Sequence, residues 1–143
     1  MSFEKCETSC GTLLINTMGQ IMLGHVTGTD HWDIPKGRRE HGEEPLQAAI
    51  RELWEETNLR LSEDFFEELG NYDYKPGKRL HLYKAYVADA IPDVRQLCCN
   101  SFFPCEAGRE PVLAMDGYRW AARDEIPRLC HERLAQRLLT IDW

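Results

Sequence analysis

The sequence lacks long apolar runs and an excess of positive charge, and each absence excludes a class of protein. No apolar stretch approaches the length of about 20 residues that crosses a bilayer, and the start from Met1 to Cys10 lacks the apolar segment of a signal peptide. Lys and Arg number 17 against 24 Asp and Glu, giving a formal net charge of −7. Long duplex nucleic acid and anionic membranes reward clustered positive charge, so neither is expected as a partner. We expect a cytoplasmic protein.

The cysteines do not support a zinc site, because none of them forms a C-x-x-C pair. The six are Cys6, Cys10, Cys98, Cys99, Cys105 and Cys130. In a cytoplasmic protein they are expected to be reduced thiols. The adjacent Cys98 and Cys99, with Cys105 nearby, leave redox sensitivity open as an alternative.

The most informative stretch runs from Gly37 to Leu59 and reads GRREHGEEPLQAAIRELWEETNL. Its second half has residues at three- and four-residue spacing that predict a helix with one buried face. These residues are Leu46, Ala49, Ile50, Leu53 and Thr57. Pro45 suits the first helical position. Because each helical residue advances by about 100°, three carboxylates fall on one face beside the apolar stripe. They are Glu52, Glu55 and Glu56.

These carboxylates predict a divalent metal site. Each like-charged pair at helical spacing costs about 0.2–0.5 kcal/mol, and Arg51 can neutralise only one of the negative charges. Hard divalent cations take oxygen ligands. We therefore predict that Glu52, Glu55 and Glu56 bind Mg²⁺ or Mn²⁺. The alternative for the glutamates alone is a solvated acidic helix face without function.

The same stretch resembles the Nudix box, G-x5-E-x7-R-E-U-x-E-E-x-G-U, in which U is an aliphatic residue. The sequence matches every defined position of this motif except one. The matching residues are Gly37, Glu43, Arg51, Glu52, Leu53, Glu55, Glu56 and Leu59. The exception is Asn58, where the family usually has Gly. Asn is the usual second choice for the left-handed residue after a helix, so the departure should affect stability rather than chemistry.

Strand and turn patterns surround the box. Apolar, partly β-branched segments at 10–16 and 21–23 predict two strands around a tight turn. The segments 65–74 and 79–88 predict two more strands, joined by the turn residues Pro76 and Gly77. Between Trp32 and the box, Pro35 holds the preceding residue extended, and Gly37 is expected to adopt a conformation that other residues resist. Gly37 would also place a bare backbone beside the acidic helix.

The C-terminal third predicts a long loop, a last strand and a terminal helix. The loop spans Ile91 to Val112, with a short strand at 101–103 as an option. The last strand is 118–121, a helical turn is expected at 123–127, and the terminal helix spans Leu129 to Leu139.

At 143 residues the sequence has the length of one domain with one core. Helices between and after strands predict an α/β fold with a mixed sheet covered on both faces. The resemblance implies the same: a Nudix-type α/β/α sandwich with a loop–helix–loop catalytic motif and a C-terminal helix. We expect one Nudix hydrolase domain over residues 1–143.

The resemblance also implies the chemistry. Nudix enzymes hydrolyse a nucleoside diphosphate linked to another moiety, by attack of water on a phosphorus. Glu52, Glu55 and Glu56 would be metal ligands, and one of them, by the family pattern most often Glu52 or Glu56, would also position the water. The carbonyl of Lys36 would be a further ligand. Arg51 would orient the glutamates, and Glu43 would brace the loop.

Some family members take a further catalytic carboxylate from outside the box. Asp116 is the candidate here, with Glu106 and Glu110 in the preceding loop as others. No motif distinguishes Asp116 from a solvated aspartate in a turn.

Substrate-binding candidates lie before and after the box. The string W-D-I-P-K-G resembles the W-x-x-P-K-G of diadenosine-tetraphosphate hydrolases, which would bring Lys36 to a phosphate. A second patch could form after the box, in which aromatic faces stack on a base and cations hold phosphate. Its residues would be Lys78 and Arg79, with Tyr72, Tyr74, His81 and Tyr83 nearby. A solvated lysine and tyrosines that only fill the core or surface are the alternatives.

The predicted function is a divalent-metal-dependent pyrophosphohydrolase acting on a small nucleoside polyphosphate, with dinucleoside polyphosphates favoured. Nucleoside triphosphates such as oxidised nucleotides, RNA 5′ ends, and nucleotide sugars or ADP-ribose remain alternatives. A domain that binds nucleotide without cleaving it is a further alternative, although all three box glutamates are present.

Overall fold

The structure, a computed structural model, describes residues 6–87 and 93–143. Within them lie seven strands and three α-helices. The strands are β1 (Glu7–Ile15), β2 (Ile21–Val26), β3 (Trp32–Asp33), β4 (Lys36–Arg38), β5 (Phe66–Lys75), β6 (Lys78–Tyr86) and β7 (Met115–Ala121). The helices are α1 (Pro45–Thr57), α2 (Ile126–Leu129) and α3 (Glu132–Leu139). Short 3₁₀ turns occupy Glu63–Phe65, Val94–Gln96 and Arg123–Glu125.

The strands form one mixed sheet in the order β3-β2-β1-β6-β5, with β4 pairing with β1 and β7 pairing with β2. β1 and β6 are parallel, from Glu7 opposite Lys78 to Ile15 opposite Tyr86, and β5 and β6 form an antiparallel hairpin. A parallel pair requires a long crossover, and the segment between β1 and β6 contains α1. This crossover packs α1 against β1 and β4.

The sheet buries apolar side chains on both faces, as the alternation along β1 illustrates. Leu13 packs in the cluster that includes Ile126 and Leu134 from the C-terminal helices, whereas Leu14 packs in the cluster that includes Leu53 of α1. All five side chains are essentially inaccessible to solvent. The predicted α/β/α sandwich with a C-terminal helix is therefore confirmed.

The strand boundaries differ from the prediction where pairing decides them. β1 begins at Glu7 rather than at Cys10, because its first half pairs with β4 on one side and β6 on the other. β3 and β4 have two and three residues, which is too short for an alternating pattern to be recognised. The optional strand at 101–103 is wrong, since the strand-like pairing of this described segment is a single bridge between Phe102 and Leu113.

The predicted terminal helix is interrupted. α2 ends at Leu129 and α3 begins at Glu132, because Cys130 is extended and forms a parallel bridge with Trp32. The end of α1 agrees with the prediction, since Asn58 is left-handed with a φ of 65°. Ala88, at the end of a predicted strand, and the first two residues of the predicted loop lie outside the described residues. None of the described helices combines the length and apolar character needed to cross a bilayer.

Leu13→Ala tests the core between the sheet and the C-terminal helices. We expect a loss of about 2–5 kcal/mol in the free energy of unfolding, because the leucine is fully buried. Urea denaturation measures this loss. Met18→Ala, at a side chain that is 79% exposed, is the control and should change stability by less than about 0.5 kcal/mol. Equal effects of both variants would contradict this description of the core.

Candidate active site

Two glutamates of α1 point toward the sheet instead of toward solvent. Glu52 is 9% exposed and Glu56 is 8% exposed. The Glu52 carboxylate lies against Gly37 so closely that a Cβ atom at position 37 would overlap it. Gly37 is not among the described glycines with a positive φ. The predicted unusual backbone conformation is therefore wrong, whereas the predicted bare backbone beside the acidic helix is confirmed: position 37 leaves space for a carboxylate.

The surroundings of Glu56 and Glu52 disfavour their negative charge. Burial, and then the charge of Asp33, raise the pKa of Glu56 well above its ordinary value, although the backbone N–H of Lys36 donates to Glu56 Oε1 at 3.0 Å. Burial and the charge of Glu55 likewise raise the pKa of Glu52, against the opposing effect of Arg51. Deprotonating both carboxylates is therefore costly unless a cation lies beside them.

Arg51 is the cation that the chain itself supplies. Its Nε donates to Glu43 Oε2 at 2.8 Å, and its Nη1 donates to Glu52 Oε1 at 2.8 Å and to Glu55 Oε1 at 3.1 Å. Its Nη2 donates to the carbonyl of Arg38, next to Gly37. The guanidinium thus ties two helix glutamates to the loop before the helix.

The donor set suits a hard divalent cation. Glu52, Glu55 and Glu56 each accept a hydrogen bond at Oε1, and none of the three accepts one at Oε2 from the described residues. Oxygen ligands of this kind are those of Mg²⁺ and Mn²⁺. The described residues contain no ready-made group of three or more metal-binding side chains.

The C-terminal end of α1 is held by groups that the sequence did not single out. Asn100 donates from its backbone N–H to the carbonyl of Glu55 at 2.6 Å, and from its side chain to the carbonyl of Trp54 at 3.2 Å. The hydroxyl of Tyr118 on β7 donates to the carbonyl of Glu56. The last carbonyls of a helix have no partner within it, so these bonds fix the helix end that carries the glutamates.

A cleft of about 190 Å³ is lined by Asp33 and Lys36, the two residues that act on Glu56 from outside the helix. Its lining includes His31, Trp32, Lys36, Tyr74, Lys75 and His131. The Lys36 ammonium lies 3.0 Å from Asp33 Oδ2. Burial acts to lower the pKa of Lys36. The charge of Asp33, the hydrogen bond to it, and the charges of Tyr74 and Glu56 together outweigh burial and raise the pKa overall. Lys36 therefore connects the two regions, because its backbone contacts Glu56 and its side chain lines the cleft.

The structure brings some predicted residues together and separates others. Tyr74 lines the cleft with Lys36, whereas Lys78 is exposed at the start of β6 and does not line it. Asp116 on β7 pairs with His25 at 2.5 Å. Glu106 and Glu110 are exposed in the loop before β7.

The carboxylate outside the box that acts on Glu56 is Asp33, which sequence reasoning missed. Its place immediately before Ile34 and Pro35, close ahead of the predicted ligand Lys36, was the available signal.

Comparison with known proteins decides the family. A family model described as "NUDIX domain" matches residues 7–139. The chain belongs to the NUDIX family. The resemblance drawn from the box is therefore confirmed.

Three similar proteins illustrate the range of identity and coverage among the matches. An RNA pyrophosphohydrolase of Azorhizobium caulinodans is 44% identical over 57 residues, which is 35% of this chain and 34% of the relative. An uncharacterized 17.7 kDa protein of Enterobacteria phage T4 is 32% identical over 109 residues, or 70% of this chain and 72% of the relative. A structure of a C. elegans Ap4A hydrolase superposes with a TM-score of 0.60 at 21% identity, covering 92% of this chain and 93% of that one.

The matched parts cover about a third of the first two curated relatives, 34% and 31% of their lengths. Because the identity to the solved structure is low, its superposition on this chain establishes the fold alone.

Gly37→Ala tests the close approach of Glu52 to β4. We expect the added methyl group to displace the carboxylate and to weaken Mn²⁺ binding, measured by calorimetry, by about 10- to 100-fold. Gly117→Ala is the matched control, because its Cβ would meet only His25 at 3.8 Å. Unchanged Mn²⁺ affinity in Gly37→Ala would show that Glu52 does not need this space.

Tyr118→Phe tests the support at the end of α1. We expect a loss of about 0.5–1.5 kcal/mol in the free energy of unfolding, because the carbonyl of Glu56 loses its donor. Chemical denaturation is the measurement. Tyr86→Phe, at a side chain that is 57% exposed, should leave stability unchanged, and a similar loss there would argue against a specific role for Tyr118.

Proposed function

We propose that the chain is a divalent-metal-dependent pyrophosphohydrolase that cleaves a nucleoside diphosphate linked to another moiety. The observation that carries the proposal is the pair of buried carboxylates of Glu52 and Glu56, packed against the bare backbone at Gly37. Such a pair is costly to keep charged, and the charge of Arg51 is shared among Glu43, Glu52 and Glu55. A bound divalent cation would supply the missing positive charge.

The chemistry of phosphoanhydride hydrolysis explains why this site suits it. A polyphosphate repels an incoming hydroxide, so cleavage needs cations on the phosphate oxygens and a base for the water proton. A bound Mg²⁺ or Mn²⁺ would supply positive charge that neutralises the phosphates and lowers the pKa of water. Glu52, Glu55, Glu56 and the carbonyl of Lys36 would hold the metal, and Glu52 or Glu56 would take the proton.

The cleft supplies groups for the rest of the substrate. The Lys75 ammonium, together with the Lys36 ammonium that also pairs with Asp33, would neutralise phosphate oxygens beyond the scissile bond. Trp32 and Tyr74 present rings that could stack on a base. Cations and aromatic rings in one cleft favour a nucleotide with several phosphates, such as a dinucleoside polyphosphate, over a bare polyphosphate.

RNA 5′ ends are the second candidate substrate, and a specific observation favours them. Curated relatives that share 44% and 47% identity over matched stretches of 57 and 53 residues are named RNA pyrophosphohydrolases. Both candidates offer a 5′-polyphosphate to the same cleft. They differ in the group that is attached beyond the first nucleoside and its phosphates.

Glu56→Gln and Glu52→Gln test the activity. We expect each to lower kcat by about 100-fold or more, because a metal ligand or proton acceptor is removed while the amide keeps a similar shape. The substrates are dinucleoside polyphosphates, nucleoside triphosphates and 5′-triphosphorylated RNA, each with Mg²⁺ and with products identified. Glu67→Gln, on an exposed side chain, is the control.

Near-normal turnover by both variants would refute the metal assignment. Binding without product from any substrate with the unaltered chain would instead favour a nucleotide-binding domain without catalysis.

Glu56→Gln also has a predicted effect on stability. Because the pKa of Glu56 is raised in the fold, the folded chain holds a proton at pH values where the unfolded chain has released it. Metal-free stability should therefore fall as pH rises above the ordinary value of 4.5. Gln at this position removes that decrease, so Tm in a chelator should be higher than in the unaltered chain near about pH 8 and closer to it near about pH 5. A Tm difference that does not vary with pH would contradict the raised pKa.

A further inference from the structure

A strip of positive side chains leads away from the cleft and onto helix α3. The basic strip consists of Lys75 at the end of β5 and of Arg133 and Arg137 on α3. Tyr74 connects the strip to the cleft, because it lines three neighbouring depressions. The first is the cleft, the second is also lined by Lys75 and Arg133, and the third is also lined by Arg133 and Arg137. The three depressions therefore form one continuous surface.

The basic strip keeps its positive charge available. Among the described residues, no carboxylate pairs with Lys75, Arg133 or Arg137. Arg133 donates to the carbonyl of Tyr74 at 3.3 Å and Arg137 to the carbonyl of Asp73 at 3.2 Å, and neither acceptor carries a full charge. The Asp73 carboxylate is bound by Arg79 at 2.6 Å.

Two carboxylates share this surface: Glu132 lines the third depression, and Asp73, which Arg79 already binds, lines the second and third. The three cations of the strip still outnumber these two carboxylates. In a chain with a net charge of −7, this local excess marks the strip as a site for an anion.

Tyrosine rings hold two of these cations in place. The Lys75 ammonium lies 5.2 Å from the centre of the Tyr74 ring, and the Arg137 guanidinium lies 4.6 Å from that of Tyr72. A cation above a ring is restrained without losing its outward N–H groups. The strip is therefore partly ordered before any ligand arrives.

We propose that the basic strip holds the phosphodiester backbone of single-stranded RNA whose 5′-polyphosphate occupies the cleft. This inference rests on the proposed function and selects RNA 5′ ends among its substrates. Arg133 and Arg137 are one helical turn apart, about 6 Å along the axis, so they can reach neighbouring phosphates of one strand. A dinucleoside polyphosphate keeps all its phosphates in one chain between its two nucleosides and offers the strip no phosphodiester beyond the cleft.

The competing occupant is an acidic protein segment. RNA is favoured because the strip is continuous with the cleft beside the glutamates, where a 5′-polyphosphate would be cleaved. The next phosphates of the same molecule would then leave the cleft along the cations. A protein ligand gives no reason for this continuity.

The test compares 5′-triphosphorylated substrates from a nucleoside triphosphate up to RNA of about six nucleotides. We expect KM to fall as nucleotides are added. In the double variant Arg133→Gln/Arg137→Gln, KM for the longest RNA should rise by about tenfold. Its kcat, and its KM for the nucleoside triphosphate, should stay within about twofold of the unaltered chain, because neither arginine contacts the glutamates.

Two further variants separate charge from structure. Arg95→Gln/Arg109→Gln removes two exposed arginines elsewhere, with side chains 88% and 77% exposed, and should leave the length dependence intact. Arg133→Lys/Arg137→Lys keeps the charge and should retain most of the dependence of KM on RNA length. Tm of each variant shows whether the packing of Arg137 on Tyr72 is preserved.

A binding measurement gives a readout that does not depend on turnover. Fluorescence anisotropy of a 3′-labelled, 5′-monophosphorylated RNA should show weaker binding to Arg133→Gln/Arg137→Gln. The slope of log affinity against log salt should also be smaller, by about 0.7 for each RNA phosphate that the variant no longer neutralises.

The outcomes distinguish the two proposals. A KM that does not depend on RNA length, equal effects in the Arg95/Arg109 control, or preferential binding of a polyglutamate peptide would overturn the RNA strip while leaving the hydrolase intact. RNA binding that requires Arg133 and Arg137, without hydrolysis of any substrate, would support the strip and overturn the proposed function.

Discussion

The site depends on one constraint: two carboxylates of one helix face are kept out of water against a backbone without a side chain. Glu52 fits only because position 37 is glycine, and Glu56 is held by the N–H of Lys36. Burial raises both pKa values, and Arg51 compensates for only part of the charge. The remaining structure serves this arrangement. The crossover places α1 on the sheet, and bonds from Asn100 and Tyr118 fix its end.

Sequence patterns predicted the features that are local. The helix from Pro45 and the left-handed Asn58 follow from spacing and capping within one segment. The bare backbone at Gly37 was predicted, but its contact with Glu52 in particular was not, because that contact depends on the distance between atoms of two residues far apart in the sequence. The break between α2 and α3 likewise depends on a distant bridge from Trp32 to Cys130. Short strands such as β3 leave no periodic signal at all.

The cleft was predicted least well, because its lining comes from separate parts of the chain. Lys36 and Tyr74 were predicted and do share it, but His31 and His131 carried no motif that would have identified them. Lys78 lies close to Tyr74 in the sequence, yet the turn at Pro76 and Gly77 places it outside the cleft lining. Proximity in sequence was therefore a poor guide across a hairpin.

The bridge between Trp32 and Cys130 has a consequence for how such a domain can diverge. It anchors the start of α3, and with it His131, beside the loop that precedes the glutamates. The groups proposed for hydrolysis are encoded in one short segment, whereas the walls that would recognise the substrate are assembled from the loop, β5 and α3. Substitutions between β7 and the end of α3 could therefore change which substrate is bound during evolution, while the catalytic segment is inherited unchanged.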